Sequence, residues 1–265
     1  MFRAAALFAT TILAAPLAAQ SLDDVVTVEV LPGWRAEGGR HVAAIAVSLA
    51  PGWKTYWRAP GDAGIPPHFD WRGSDNLRGY RTHWPMPEVF YQNGMRSIGY
   101  ADSVVFPVEF FARTEGEAIT LEGQAQLGVC EEICIPVALD ITAELPPMGS
   151  PDPVIVAALV DRPKSAEQAG VTRAVCNINS ADMGLVMEAI VTMPALGRGE
   201  TAVIEAGDAA VWTSEPQIDR DGDDLTITAR MVHASGEAFI VDRSEVRITV
   251  FGGGQAVDIQ GCRAG

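Results

Sequence analysis

The stretch Ala125–Ile141, AQLGVCEEICIPVALDI, decides the fold. Leu127 and Val129 stand two apart before the cysteines, and Ile135, Val137, Leu139 and Ile141 stand two apart after them. Side chains alternate faces along a strand, so each run gathers its apolar residues on one face. Cys130 and Cys134 fall on the opposite parity of their runs. The pattern is a hairpin of two antiparallel strands with the tight loop Glu131-Glu132-Ile133, both sulfurs turned away from the local core. Residues facing each other across such a hairpin have α-carbons about 4.5–5.5 Å apart. A disulfide spans about 4.4–6.8 Å between α-carbons, so a Cys130–Cys134 bridge is feasible.

Working outward, the same period of two recurs in Val26, Val28, Val30, in Ile45, Val47, Leu49, in Leu225, Ile227, Ala229, Met231 and in Val246, Ile248, Val250. Turn residues break these runs at the short spacing of a β-sandwich. One stretch argues for a helix: Asp152 as N-cap and Pro153 at the first position, ahead of VIVAALV. It follows PPMGSP, the most linker-like segment in the chain. The expected fold class is therefore all-β, two immunoglobulin-like β-sandwich domains joined by a short helical linker. The boundaries are residues 21–147 for the first domain, 148–169 for the linker and 170–265 for the second domain. Five of the six tryptophans (Trp34, Trp53, Trp57, Trp71, Trp84) lie in the first half. The aromatics of WKTYW are expected in the sandwich core rather than in a ligand groove.

Residues 1–20 read as a secretory signal peptide, with Arg3 as the basic start, an apolar run from Ala4 to Ala15 and a small-residue exit at Ala18 and Ala19. The run is too short to span a bilayer as a helix. No later stretch is long and apolar enough to do so, and the mature protein is expected in the periplasm. What remains is long enough for two domains of roughly 100–150 residues. With 19 basic against 34 acidic residues the net charge is −15. Such a surface repels phosphate backbones and anionic lipid, which argues against nucleic acid and membrane surfaces as partners.

Four cysteines in an exported chain are expected to be oxidised. The favoured pairing joins Cys130 to Cys134 on the hairpin and Cys176 to Cys262 near the ends of the second half. A bridge closing a long loop restricts the unfolded chain far more than one closing a short ring, so Cys176–Cys262 reads as structural. For Cys130–Cys134 the spacing alone leaves three roles open: an exchanging redox pair, an inert hairpin staple, or two thiolates holding a soft metal ion. No histidine lies near in sequence and Glu131 and Glu132 add only hard ligands, which makes metal the weakest of the three. The adjacent negative charge also disfavours a thiolate, so selectivity is expected from docking. Asp219-Arg220-Asp221-Gly222-Asp223-Asp224 lacks the glutamate of a calcium loop and reads as a hairpin turn. No cofactor or metal is expected.

Three stretches tip the balance between these roles. GWKTYWRAPGDAGIPP (Gly52–Pro67), WPMPEVFYQNGMRSIGYADSVVFPV (Trp84–Val108) and LGVCEEICIPV (Leu127–Val137) resemble the N-terminal periplasmic domain of the DsbD thiol:disulfide interchange family. Within it they are most similar to the branch called suppressor of copper sensitivity protein B (ScsB). The resemblance covers residues 25 to 145, and residues 150 to 265 more weakly resemble the extra sandwich of that branch.

The resemblance implies an immunoglobulin-like sandwich that passes reducing equivalents to partner proteins, as a protein-disulfide reductase component. It implies that Cys134 forms mixed disulfides and Cys130 resolves them. A cap loop before the Tyr100 strand would shield the pair, and Phe90, Tyr91, Asn93 and Met95 occupy that region. The implied partners are thioredoxin-like periplasmic proteins, in cytochrome c maturation, disulfide correction or copper tolerance. The chain departs from the family in its short C-x3-C spacing and in carrying neither a membrane domain nor a thioredoxin-like domain. A separate membrane-embedded thiol reductant is therefore expected. The alternative function is a non-catalytic binding or assembly module whose disulfides are purely structural.

Overall fold

Val26, Val28 and Val30 give the first strand one apolar edge, and that edge needs a second layer to cover it. The computed structural model describes residues 22–61, 64–92 and 94–265; the leader expected at 1–20 lies outside them. One helical turn, α1 (Leu22–Val25), leads into ten strands. They are β1 (Val26–Arg35), β2 (Arg40–Leu49), β3 (Lys54–Gly61), β4 (His68–Asp70), β5 (Leu77–Thr82), β6 (Glu88–Gln92), β7 (Met95–Ala101), β8 (Ser103–Ala112), β9 (Ile119–Cys130) and β10 (Cys134–Leu145). They form two sheets, ordered β1-β2-β8-β5 and β10-β9-β3-β7-β6, with β4 added to β9.

The inner faces of the two sheets enclose a core that includes Ile45, Trp57, Ile98, Phe106, Phe110 and Leu127. Phe106 sits edge-on to Phe69, Trp84 and Tyr100 with ring centroids 5.8, 5.3 and 5.4 Å away. Each such pair adds about 0.5–1.5 kcal/mol beyond area burial. Trp53 and Trp57 are buried in this core, as expected for WKTYW, whereas Tyr56 is buried on the opposite face of β3.

The helix α2 (Pro153–Val160) begins as the sequence suggests: the Asp152 carboxylate accepts from the Val154 and Ile155 backbone N–H groups. It does not hang free between the sandwiches. Ile155 is fully buried in a small cluster with Val42 and Ala44, on the outer face of the first sheet. The Met86 N–H also donates to the Asp161 carbonyl just past the helix.

The second sandwich is built from β11 (Lys164–Ser165), β12 (Arg173–Ser180), β13 (Leu185–Thr192), β14 (Thr201–Glu205), β15 (Val211–Thr213), β16 (Gln217–Asp221), β17 (Asp224–His233), β18 (Arg247–Gly252), β19 (Gln255–Gln260) and β20 (Arg263–Ala264). Its sheets are ordered β11-β19-β18-β14 and β15-β17-β13-β12-β20, with β16 on β17. Lys164 and Ser165 already pair with Val257 and Asp258, so this sandwich takes its first strand from inside the segment 148–169. The aspartate-rich stretch is the turn between β16 and β17, with Gly222 at φ 59°. A bond between Cys176 on β12 and Cys262 ahead of β20 joins α-carbons 5.7 Å apart.

The sheet containing β14, β18 and β19 is covered on both faces. Ile248 and Val250 point into its own sandwich. Val203, Phe251 and Ala256, on the alternate parity, join the core cluster of the first sandwich. Arg96 of β7 crosses the same boundary, donating to Thr201 Oγ1 at 2.8 Å and to the Ala202 carbonyl at 2.9 Å. Its side chain is 4% exposed and pairs with Glu215 at 3.4 Å. The two sandwiches thus share a packed boundary at the end of β3 and β7.

Candidate functional site

The hairpin predicted from residue parity runs without a break from Leu145↔Ile119 to Cys134↔Cys130. Cys130 and Cys134 face each other directly at its closed end, beside the loop, bonded, with α-carbons 4.1 Å apart. Glu131, Glu132 and Ile133 form the loop and are exposed.

The two sulfurs are not equivalent. The sequence places both on the outer face, and alternation along β9 and β10 does put them there. Yet Cys130 is only 5% exposed, whereas Cys134 is exposed. The reason is position across the sheet. β10 is the edge strand, so Cys134 has a neighbouring strand on one side only. β9 is flanked on both sides, and Cys130 lies between Cys134 and Lys54 of β3. Ile135, read from parity as a core residue with Val137 and Ile141, is 36% exposed on the edge strand β10, while Val129 directly opposite it on the inner strand β9 is fully buried in the core.

β3 supplies the residues that hold the pair. Thr55 is buried and its hydroxyl donates to the Gly128 carbonyl at 2.9 Å, locking β3 to β9 one turn of the pleat below the cysteines. Tyr56, on the same face as Lys54, places its hydroxyl 3.0 Å from Cys134 Sγ. A disulfide sulfur carries no hydrogen, so the hydroxyl is the donor. Burial raises the Tyr56 pKa above its ordinary value and keeps that proton in place at neutral pH.

Two glycines make room for the Tyr56 ring. A Cβ on Gly128 would fall 2.9 Å from Tyr56 Cδ2 and 2.7 Å from Ile65 Cβ. A Cβ on Gly64 would fall 2.7 Å from Tyr56 Cδ1. Gly128→Ala is expected to cost about 1–3 kcal/mol through overpacking and to displace the tyrosine hydroxyl from the sulfur. Thermal denaturation with near-ultraviolet circular dichroism checks this. An unchanged melting temperature and tyrosine signal would contradict the packing described.

The residues expected to cap the pair are dispersed by the β6–β7 hairpin. Phe90 faces Ser97, and its ring lies 5.0 Å from the Lys54 ammonium, beside the row that holds Cys130. Met95 shares that face and is 48% exposed. Tyr91 is opposite Arg96 and so belongs to the other face of the sheet. Asn93 lies outside the described residues. Among the described residues, no group of three or more His, Cys, Asp or Glu side chains is placed to hold a metal ion. Nor is any helix among them long and apolar enough to cross a membrane.

Sequence reasoning missed Tyr56. The motif WKTYW groups this residue with core aromatics, and nothing local distinguishes it, because its contact with Cys134 spans 78 residues.

Residues 27–146 match the family model described as thiol:disulfide interchange protein DsbD, N-terminal. The whole structure is similar to the crystal structure of the N-terminal periplasmic domain of ScsB from Proteus mirabilis. The TM-score is 0.70 at 21% identity, over 94% of this chain and 97% of that one, a likeness of fold. No curated protein matches the chain. The matched segment is the sandwich that carries the Cys130–Cys134 hairpin, and this part of the chain belongs to the DsbD family as an N-terminal domain.

Proposed function

We propose that this chain is a periplasmic thiol:disulfide interchange protein that passes reducing equivalents through Cys130 and Cys134 to thioredoxin-like partners. The observation that carries the reading is the asymmetric pair at the hairpin tip: an exposed Cys134 bonded to a buried Cys130, with the Tyr56 hydroxyl on the outer sulfur. Exchange proceeds by thiolate attack on an accessible sulfur. Cys134 is the sulfur a partner reaches and the one that carries the mixed disulfide. Cys130, alongside it in register, resolves that intermediate.

Residues 1–20 are the export leader, residues 21–147 the redox domain, residues 148–169 the connection, which also lends Lys164 and Ser165 to the second sandwich, and residues 170–265 a second domain held by the Cys176–Cys262 bond. A membrane-embedded thiol reductant resupplies the pair, and Phe90 and Met95 shield it from unsuited partners. The physiological setting is cytochrome c maturation, disulfide correction or copper tolerance.

Graded reduction tests the reading. Cys134 is exposed, while Cys176 is fully buried, so a dithiol should open Cys130–Cys134 first. Alkylation and peptide mapping after mild reduction should find label on Cys130 and Cys134 alone, in a protein that keeps most of its melting temperature. Simultaneous opening of both bonds would contradict the redox assignment.

A further inference from the structure

Tyr56 is the last residue of β3 before its register with β7 breaks. Lys54↔Ala101, Thr55↔Tyr100 and Tyr56↔Gly99 are in step, and pairing resumes only at Gly61↔Ser97. Four residues, Trp57 to Pro60, therefore stand opposite the single residue Ile98. Such a bulge leaves the ladder locally disrupted, and something other than strand pairing must fix it.

What fixes it belongs to the second sandwich. Trp57 packs edge-on against Phe251, with centroids 5.6 Å apart. The Arg58 guanidinium lies 3.8 Å from the centroid of the Trp57 ring. Arg58 Nε donates to both Glu205 carboxylate oxygens at 3.1 Å, and Nη2 donates to Thr249 Oγ1 at 3.2 Å. Asp258 adds an ion pair at 3.7 Å, and the Arg58 side chain is only 10% exposed. At the far end of the bulge, Pro60 meets Gly64: a Cβ on Gly64 would fall 2.3 Å from Pro60 Cβ and 2.7 Å from the Tyr56 ring. The contacts therefore run from the second sandwich through Arg58 and the bulge to Pro60 and Gly64, and so to the tyrosine whose hydroxyl touches Cys134.

We propose that the second sandwich is a positioning element of the redox site, with Arg58 as its anchor: by pinning the bulge to Glu205, Thr249 and Asp258 it holds the Tyr56 hydroxyl on the Cys134 sulfur. The inference rests on the reading of Cys130–Cys134 as a bond that opens. When it opens, a dithiol reductant gives up two electrons and two protons and closes its own disulfide. The Cys130–Cys134 bond breaks and takes them up as two thiols. Ionisation of Cys134 then leaves a thiolate, and a hydrogen bond to a charged sulfur is stronger than one to a neutral disulfide sulfur. Tyr56 thus favours the reduced state and the thiolate, and Arg58 acts through Tyr56 without touching either sulfur.

The test is the equilibrium constant of the full-length protein with dithiothreitol, together with the pH profile of Cys134 alkylation. Tyr56→Phe should shift the equilibrium roughly tenfold toward the disulfide, the scale of one charge-assisted hydrogen bond, and move the alkylation profile to higher pH. Arg58→Gln should shift both in the same direction by roughly threefold, and Arg58→Lys should recover part of the shift because it keeps the charge without the fork. In the Tyr56→Phe background, Arg58→Gln should add nothing further, since contacting residues acting through one group are not additive. Should Arg58→Gln fail to fold, Thr249→Val and Phe251→Leu probe the same boundary from the other side with the same readouts. An unmoved constant, or an equal shift with and without the tyrosine hydroxyl, would overturn the proposal and leave Arg58 as interdomain packing. A pair that no dithiol opens would overturn the redox reading itself, which separates the two failures.

Discussion

Cys130→Ser is expected to convert this protein into a trap for its redox partner, and Cys134→Ser is not. The geometry of the hairpin tip makes the difference. In the serine variant at 130, Cys134 keeps its place on the edge strand, exposed and beside the Tyr56 hydroxyl. It can still attack a partner disulfide, but the sulfur that would release the complex is gone. In the serine variant at 134, the remaining thiol of Cys130 is 5% exposed between β10 and β3 and cannot be reached by a folded partner. Incubation with an oxidised thioredoxin-like protein should therefore give a covalent adduct, sensitive to reductant, at a yield roughly tenfold or more higher for Cys130→Ser, because exchange rates depend on access to the attacked sulfur. Non-reducing electrophoresis with mass spectrometry measures it. Equal yields from the two variants would contradict the assignment of roles.

The largest stability effect should come from the other bond. Cys176 and Cys262 are 86 residues apart in sequence, against 4 for Cys130 and Cys134. In the chain-entropy model a loop of that length contributes roughly 4–5 kcal/mol, and a ring of a few residues roughly 2 kcal/mol. Cys176 is also fully buried in the second core, so its replacement disturbs packing as well. Removing the bond with alanine at both positions should lower the melting temperature by roughly 10–15 °C, at a few degrees per kcal/mol for a chain of this size. The corresponding pair of alanines at 130 and 134 should lower it by less than half as much. Differential scanning calorimetry of the two variants decides this, and a greater loss at the hairpin would overturn the division into a structural and an exchanging bond.

Much of this arrangement is legible in the residues alone, and the limits have identifiable causes. Parity along Leu127, Val129, Val137 and Ile141 carries the hairpin and its register, because a slip of one residue would turn every one of those side chains to the wrong face. Asp152 and Pro153 mark the start of α2 because capping is local chemistry. Parity cannot tell an edge strand from an inner one, so the burial of Cys130 beside the exposure of Cys134 emerges only with the sheet order. It cannot show where a helix docks, so the seat of Ile155 on Val42 and Ala44 is likewise tertiary information. Tyr56 and Arg58 stand two apart around the end of a motif that reads as core, yet one reaches 78 residues ahead to the sulfur and the other 147 residues ahead to Glu205. A bulge directs those two side chains to different partners, and no periodicity announces it.

Electron exchange between the Cys130–Cys134 pair and a partner protein is tested most closely by direct transfer. Reduced full-length protein is mixed with an oxidised thioredoxin-like protein, quenched with acid and alkylator at intervals, and the Cys130–Cys134 peptide is weighed. This peptide is expected to lose its two thiols and form a disulfide as the partner gains two, while Cys176–Cys262 stays bonded throughout. A hairpin peptide that remains reduced while the partner remains oxidised, under conditions where dithiothreitol equilibrates with both, would contradict it and leave the bond a staple of the hairpin.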